Sequence, residues 1–150
     1  MRGLIQRVRS ASVVIDHPCG DREVAGEIGA GLCVLVGVAH DDDERSADAL
    51  AAKTWNLRIF DDPDGTMNLS AADLGLEVLV VSQFTLYGDT RKGRRPSYVA
   101  AARPEVAEPL VDRVVDQLRL AGATVATGRF RTDMAVSLVN DGPVTLLVET

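Results

Sequence analysis

The run Val78-Leu79-Val80-Val81 constrains the fold more than any other stretch of this chain. It is unbroken and aliphatic, mostly β-branched, whereas a strand with one wet face alternates apolar and polar residues. It therefore reads as a strand covered on both sides. Its chemistry then changes: Ser82-Gln83-Phe84-Thr85-Leu86-Tyr87 brings polar groups into what reads as the same extended segment. Strand alternation would put Gln83 and Thr85 on one face, with Ser82 and Phe84 on the other. Three hydrogen-bonding side chains at the end of a core strand suit a site better than packing, because each costs free energy to bury without a partner.

The rest of the chain supplies the layers that such a strand needs. Leu4 to Ile15 mixes valines and isoleucines with Arg7, Arg9, Ser10 and Ser12, giving a strand with a wet face. Asp16 to Asp21 is turn chemistry, and Arg22 to Ile28 reads as the returning strand of a hairpin. Leu32 to Val38 is a second strand expected to be buried on both faces. Asp43 to about Asn56 repeats Ala47, Leu50, Ala51, Thr54 and Leu57 at helical spacing, behind an acidic run suited to a helix start. Arg58-Ile59-Phe60 is extended and stops at the turn signal Asp61-Asp62-Pro63-Asp64-Gly65. Ser97 is placed to cap a short helix through Ala102. An apolar stripe from Val106 to Leu120 predicts a helix over Glu105 to Ala121, which Pro109 either interrupts or begins, and Gly122 ends it. Thr124 to Thr127, Met134 to Asn140 and Val144 to Glu149 read as three further strands. With no repeat or linker, the pattern predicts one α/β domain of mixed β-sheet layers with two main helices packed on one side.

Composition narrows the function classes. The 150 residues carry a formal net charge of -6, which argues against a binder that grips many phosphates. Positive charge is nonetheless concentrated at Arg91-Lys92-Gly93-Arg94-Arg95, directly after the polar segment, where it suits a phosphate-bearing ligand. No apolar run reaches the roughly 20 residues that span a bilayer, and the start is too quickly polar for a signal peptide, so a soluble cytoplasmic protein without membrane contact is expected. Cys19 and Cys33 show no CxxC spacing, and His17 and His40 stand apart, so the expectation is reduced thiols, no metal site, no cofactor and no general-base histidine.

A second unusual feature lies near the end. Val136 to Val139 runs through Asn140-Asp141-Gly142-Pro143 into Val144-Thr145-Leu146-Leu147-Val148. Locally this reads as a tight turn between two core strands. Proline after glycine at the opening of a strand is an odd hairpin choice, and X-Pro is the main setting that admits a cis peptide.

Ser82-Gln83-Phe84-Thr85-Leu86 together with Asn140-Asp141-Gly142-Pro143-Val144-Thr145 resembles the paired signature of the D-aminoacyl-tRNA deacylases. Supporting segments occur in the same order, among them Gln6-Arg7-Val8, Asn56-Leu57-Arg58-Ile59-Phe60, Lys92-Gly93-Arg94-Arg95-Pro96-Ser97 and Thr127-Gly128-Arg129-Phe130 with Asp133-Met134. One departure stands out: Arg131-Thr132 occupies positions where that family usually has small residues. The resemblance implies a barrel-like β/β/α sandwich and a hydrolase that cleaves the ester joining a D-amino acid, or glycine on a mismatched tRNA, to the terminal adenosine of tRNA. It implies a site at Ser82, Gln83, Phe84 and Thr85 in which backbone N–H groups near Gln83 and Phe84 and the Gln83 and Thr85 side chains serve as donors, with Phe84 near ribose or base. Gly142 and Pro143, with Asn140, Thr145 and Met134, would bind substrate and exclude L-amino acids. Arg91, Lys92, Arg94 and Arg95 would meet acceptor-stem phosphates. The family is a homodimer whose Gly-Pro unit reaches into the partner's site, and no DNA is expected.

Two other readings stay open at this level. One makes Thr85 a covalent nucleophile, although no base stands beside it in sequence. The other is a non-catalytic nucleic-acid-binding dimer on the same fold, since fold does not fix function.

Overall fold

The computed structural model describes residues 1–17 and 20–150. Cys19, expected in a turn, lies outside the described residues. In chain order the elements are β1 (Arg2–Asp16), β2 (Arg22–Ile28), β3 (Gly31–Gly37), α1 (Glu44–Asn56), β4 (Phe60–Asp61), β5 (Met67–Leu69), α2 (Ala71–Leu74), β6 (Glu77–Ser82), a 3-10 turn (Phe84–Tyr87), α3 (Pro104–Leu120), β7 (Thr124–Thr127) and β8 (Ala135–Glu149).

Six strands form one mixed sheet in the order β2-β1-β3-β6-β7, with β8 on β1, while β4 and β5 make a separate small ribbon. The long β1 organises it. Its first half, Arg2 to Val8, pairs antiparallel with β3, its second half, Ala11 to Asp16, pairs with β2, and β8 follows it nearly end to end. β3, β6 and β7 run parallel to one another. The sheet curls until β2 meets the far side, where Glu23 takes a hydrogen bond from Arg129 Nη1 at 3.1 Å just beyond β7. The result is a nearly closed, barrel-like sheet with helices packed outside it.

The two continuous apolar runs now have their reason. In β3 and β6, Leu32, Val34, Val36, Val78 and Val80 face α1 and α3, where they join Leu50, Trp55, Val114 and Leu118. Cys33, Leu79 and Val81 face the barrel interior with Val8, Ala11 and Val13. Period-two alternation is present in both strands, but both of its faces are buried. Among the described residues no helix is long and apolar enough to cross a membrane, and no cluster of three or more His, Cys, Asp or Glu is placed to hold a metal ion.

The helices start where local chemistry says they should. Asp43 caps α1 by accepting from Ser46 N–H at 3.0 Å. α3 runs straight through Pro109; both Pro109 and Glu105 are exposed, so the carbonyl that proline leaves without a donor meets water. Arg113 on α3 is bidentate to Asp48 on α1, at 2.7 and 2.9 Å, which ties the helices together and holds that carboxyl below its usual range.

Ser70 and Asp73 form a reciprocal capping box that nucleates α2. Three expectations change. Ser97 caps no helix; its backbone exchanges hydrogen bonds with Asp89 at 2.8 and 2.9 Å, and Ala102 N–H bonds Val38 O at 2.8 Å, so residues 97–102 form a strap across the sheet end. The segment from Ser82 to Tyr87 is not extended throughout, because the strand stops at Ser82 and the chain coils. The C-terminal pair of strands is one strand, β8, rather than a hairpin. Gln6 pairs with Thr145 and Val8 with Asn140, so two steps along β1 correspond to five along β8, and the surplus residues bulge out around Gly142 and Pro143. Gly142, at φ 119°, turns the chain out of the ladder and back without ending it.

Candidate functional site

The parallel strands β3 and β6 end side by side and open into a cleft of about 650 Å³. Ser82, Gln83 and Phe84 form one wall, the 97–102 strap with Tyr98 another, Arg103 stands at the head of α3, and the connection from Phe130 to Met134 closes the far side.

How the strand ends decides what the cleft offers. Gln83 N–H makes the last rung of the ladder, to Val36 O at 2.7 Å, and is therefore not the free donor expected from the sequence. At φ -146° and ψ 82° Gln83 then leaves the strand. The turn's first internal bond is Leu86 N–H to Gln83 O at 3.3 Å, followed by Gly88 N–H to Thr85 O at 2.9 Å. The N–H groups of Phe84 and Thr85 precede these bonds, and neither donates to any described residue. A helical turn always orphans its first donors. Here Phe84 lines the cleft, and Thr85 follows it on the turn.

The turn is fixed from below. A Cβ on Gly37 would lie 3.1 Å from Gln83 O and 3.1 Å from Leu86 Cβ, so the missing side chain lets the turn settle on β3. Arg2 donates to Leu86 O at 2.9 Å, and its guanidinium lies 4.5 Å over the Tyr87 ring. Burial, with the nearby Asp42 charge, pushes the Tyr87 phenol up to about 12, leaving it neutral.

The exposed side chains are arranged for contact rather than for nucleophilic attack. Gln83 Nε2 donates to Thr85 Oγ1, and among the described residues no carboxylate or imidazole reaches that hydroxyl. Asp133 is the one carboxylate lining the cleft and bonds none of Ser82, Gln83 or Thr85. Phe84 is 57% exposed and meets Tyr98 edge to face, with centroids 5.0 Å apart. Met134 lines the cleft and accepts from Arg129 N–H through sulfur at 3.3 Å.

Gly142 and Pro143, joined by a cis peptide, do not line this cleft. They are exposed on β8, where Asn140 and Thr145 brace the bulge. Asn140 Oδ1 accepts from Val144 N–H at 2.9 Å, while its Nδ2 donates to Val144 O at 3.3 Å and Thr145 Oγ1 at 3.0 Å. Beneath lies Arg7, 8% exposed, donating to Ile59 O at 2.6 Å and Asp141 O at 3.2 Å, with the Asp141 carboxylate 3.3 Å from Nε. Val136, Val139, Leu146 and Leu147 on the same strand are exposed.

In the basic loop, Asp89 grips Arg91 through both oxygens, at 2.9 and 2.7 Å, and the guanidinium draws that carboxyl down to about 2. Arg91 is thus occupied, while Lys92, Arg94 and Arg95 are exposed and form no ion pair among the described residues. Sequence reasoning missed Tyr98, Arg103 and Phe130 as cleft residues, and Arg7 as the anchor of the bulge. Tyr98 had a signal, being one of two tyrosines in a chain only 4% aromatic. The arginines had none beyond their charge.

A family model described as D-Tyr-tRNA(Tyr) deacylase matches residues 4–149. A Streptomyces coelicolor protein named D-aminoacyl-tRNA deacylase is 59% identical over 150 residues, covering 99% of each chain. Among solved structures, the c-Myc DNA Unwinding Element Binding Protein superposes with a TM-score of 0.91 at 36% identity, covering 100% of this chain and 99% of that one. The structure of "a probable eukaryotic D-amino acid tRNA deacylase" shares the fold, with a TM-score of 0.82 at 18% identity over 99% of this chain and 98% of its own. The chain belongs to the D-Tyr-tRNA(Tyr) deacylase family.

Proposed function

We propose that this protein is a D-aminoacyl-tRNA deacylase that hydrolyses the ester between a D-amino acid, or glycine, and the terminal adenosine of tRNA. The observation that carries the reading is the unpartnered N–H of Phe84 at the wall of the cleft, with the unpartnered N–H of Thr85 next to it on the same turn. Water attack on the ester carbonyl develops negative charge on its oxygen, and two fixed backbone donors stabilise that charge without reorganising. The leaving ribose oxygen takes the proton that water gives up, with the neighbouring ribose hydroxyl as relay. Gln83 and Phe84 hold the ester, and the exposed Phe84–Tyr98 pair offers an aromatic surface to ribose or base. No side-chain nucleophile is required.

Chiral selection belongs to Gly142 and Pro143, acting from a second subunit. In one chain the bulge lies on β8, outside the cleft, on a strand that also exposes Val139, Leu146 and Leu147. A two-fold homodimer that covers part of this strand would present each bulge to its partner's cleft and create two equivalent sites. Backbone placed where an L side chain must point rejects every L-amino acid and admits glycine. Lys92, Arg94 and Arg95 meet acceptor-stem phosphates, a small number of contacts compatible with the acidic total.

The likeness to a DNA-unwinding-element-binding protein favours a second reading, a nucleic-acid-binding dimer without catalysis. One assay decides between them. Purified protein should release D-tyrosine from D-Tyr-tRNA and spare L-Tyr-tRNA, and Gly142→Ala should lose that discrimination, because its Cβ would sit 2.8 Å from Val144 Cγ2 at a φ that L-residues avoid. Tight tRNA or DNA binding without ester cleavage would overturn the enzymatic reading.

A further inference from the structure

Two guanidinium groups at the cleft belong to none of the roles above. Arg103 is the residue before the first turn of α3, and Arg131 lies on the connection between β7 and β8, so two separate elements bring them to one cavity. Both are exposed, and neither makes an ion pair or a side-chain hydrogen bond among the described residues. Arg129, two residues away, is by contrast held by Glu23, and Arg113 by Asp48. Asp133 lines the same cleft and pairs with neither arginine.

Arg131 is also the one non-glycine residue with positive φ among the described residues, at 56°. A left-handed conformation disfavours any side chain with a Cβ, and such outliers gather where function holds them. A glycine would adopt the same backbone without cost.

We propose that Arg103 and Arg131 form an anion clamp for the phosphate on the 5′ carbon of the substrate's terminal adenosine. This rests on the deacylase reading. With the ester held at Gln83 and Phe84, that phosphate is the nearest anionic group of any aminoacyl-RNA, since it hangs from the same ribose. It remains near solvent at the cleft mouth, where the two exposed guanidinia stand. Guanidinium matches phosphate by paired N–H donors, and the positive end of the α3 dipole adds to the potential beside Arg103. Lys92, Arg94 and Arg95 do not line the cleft and would serve phosphates farther along the acceptor stem.

The test compares D-tyrosyl-adenosine with the same ester carrying a 5′-phosphate. In the wild-type protein the phosphate should raise kcat/KM by about tenfold, the size of one charged hydrogen-bonded contact. In the Arg103→Ala, Arg131→Gly double variant, whose glycine keeps the left-handed backbone, that gain should fall below about twofold. A wild-type protein that cleaves D-Tyr-tRNA but gains nothing from the 5′-phosphate would overturn the clamp, and so would a double variant that keeps the gain. D-aspartyl-adenosine provides the other arm. A wild-type preference for it over D-tyrosyl-adenosine that disappears in the double variant would assign the arginines to the amino-acid side chain and overturn the phosphate role. Absence of cleavage of D-Tyr-tRNA itself would instead fail the functional reading from which the clamp follows.

Discussion

The cleft turn at Ser82–Tyr87 and the bulge at Asn140–Thr145 both interrupt a strand, and they do so by opposite means. The turn grows from a strand buried on both faces and is set by backbone: a last ladder rung at Gln83, a glycine beneath it, and orphaned donors beyond. The bulge sits on an exposed face and is set by side chains, with Asn140 spanning it and Arg7 latching it from inside. Core packing therefore holds the first, and polar clamps hold the second. Substitutions should act on stability and chemistry differently in the two places.

The largest effect should come from the latch. Arg7→Met removes a buried cation that serves two carbonyls and the Asp141 carboxylate; Asp141 keeps Arg9, but the buried Ile59 carbonyl loses its guanidinium donor. Leaving a buried acceptor without that donor costs about 2 kcal/mol. Urea unfolding should show it, together with loss of D-over-L discrimination as the bulge loosens. A variant with wild-type stability would mean that the bulge holds its shape without Arg7, and the contrast between the regions would fail.

Gly37→Ala should do the reverse. Its new Cβ presses on Gln83 O and Leu86 Cβ, each at 3.1 Å, so the turn must give by a few tenths of an ångström. Overpacking of this kind costs about 1 kcal/mol, but the shift moves the Phe84 and Thr85 donors and should lower kcat about tenfold. Chiral discrimination should survive, because the bulge is untouched. A fall in discrimination without a fall in kcat would reverse the roles assigned to the two regions.

The contrast also explains what could be read from the sequence. Val78 to Val81 and Leu32 to Val38 announced themselves because burial on both faces leaves a compositional trace, and Asp43 and the α1 stripe did so through capping and periodicity. The coil after Ser82 left none: Gln83 to Leu86 has acceptable strand residues, and only the fit against Gly37, distant in sequence, bends it. The merged β8 was hidden for a related reason. Asn-Asp-Gly-Pro is turn chemistry, but β1 is long enough to pair on both sides of it, so the chain bulges and the strand continues instead of reversing. Residues of the two motifs were legible as a pair through their resemblance. That the cleft and the bulge lie apart within one chain was not, since motif order carries no distances.

The smallest effect should fall on Thr85, and it bears most on chemistry. A nucleophilic threonine needs a base, yet its Oγ1 accepts from the Gln83 amide and meets no carboxylate or imidazole. Thr85→Ala keeps the residue's backbone N–H, the group to which the oxyanion role is assigned, and it frees only an exposed amide that water can satisfy. Stability should change by less than about 0.5 kcal/mol. Deacylation of D-Tyr-tRNA should stay within about tenfold of wild type, whereas deleting a covalent nucleophile typically removes a factor of about 10⁶. Acid-quenched mixtures analysed by mass spectrometry should contain no tyrosyl ester on Thr85. Detection of that ester, or a collapse of rate in the folded variant, would transfer catalysis from the backbone of the turn to its side chain.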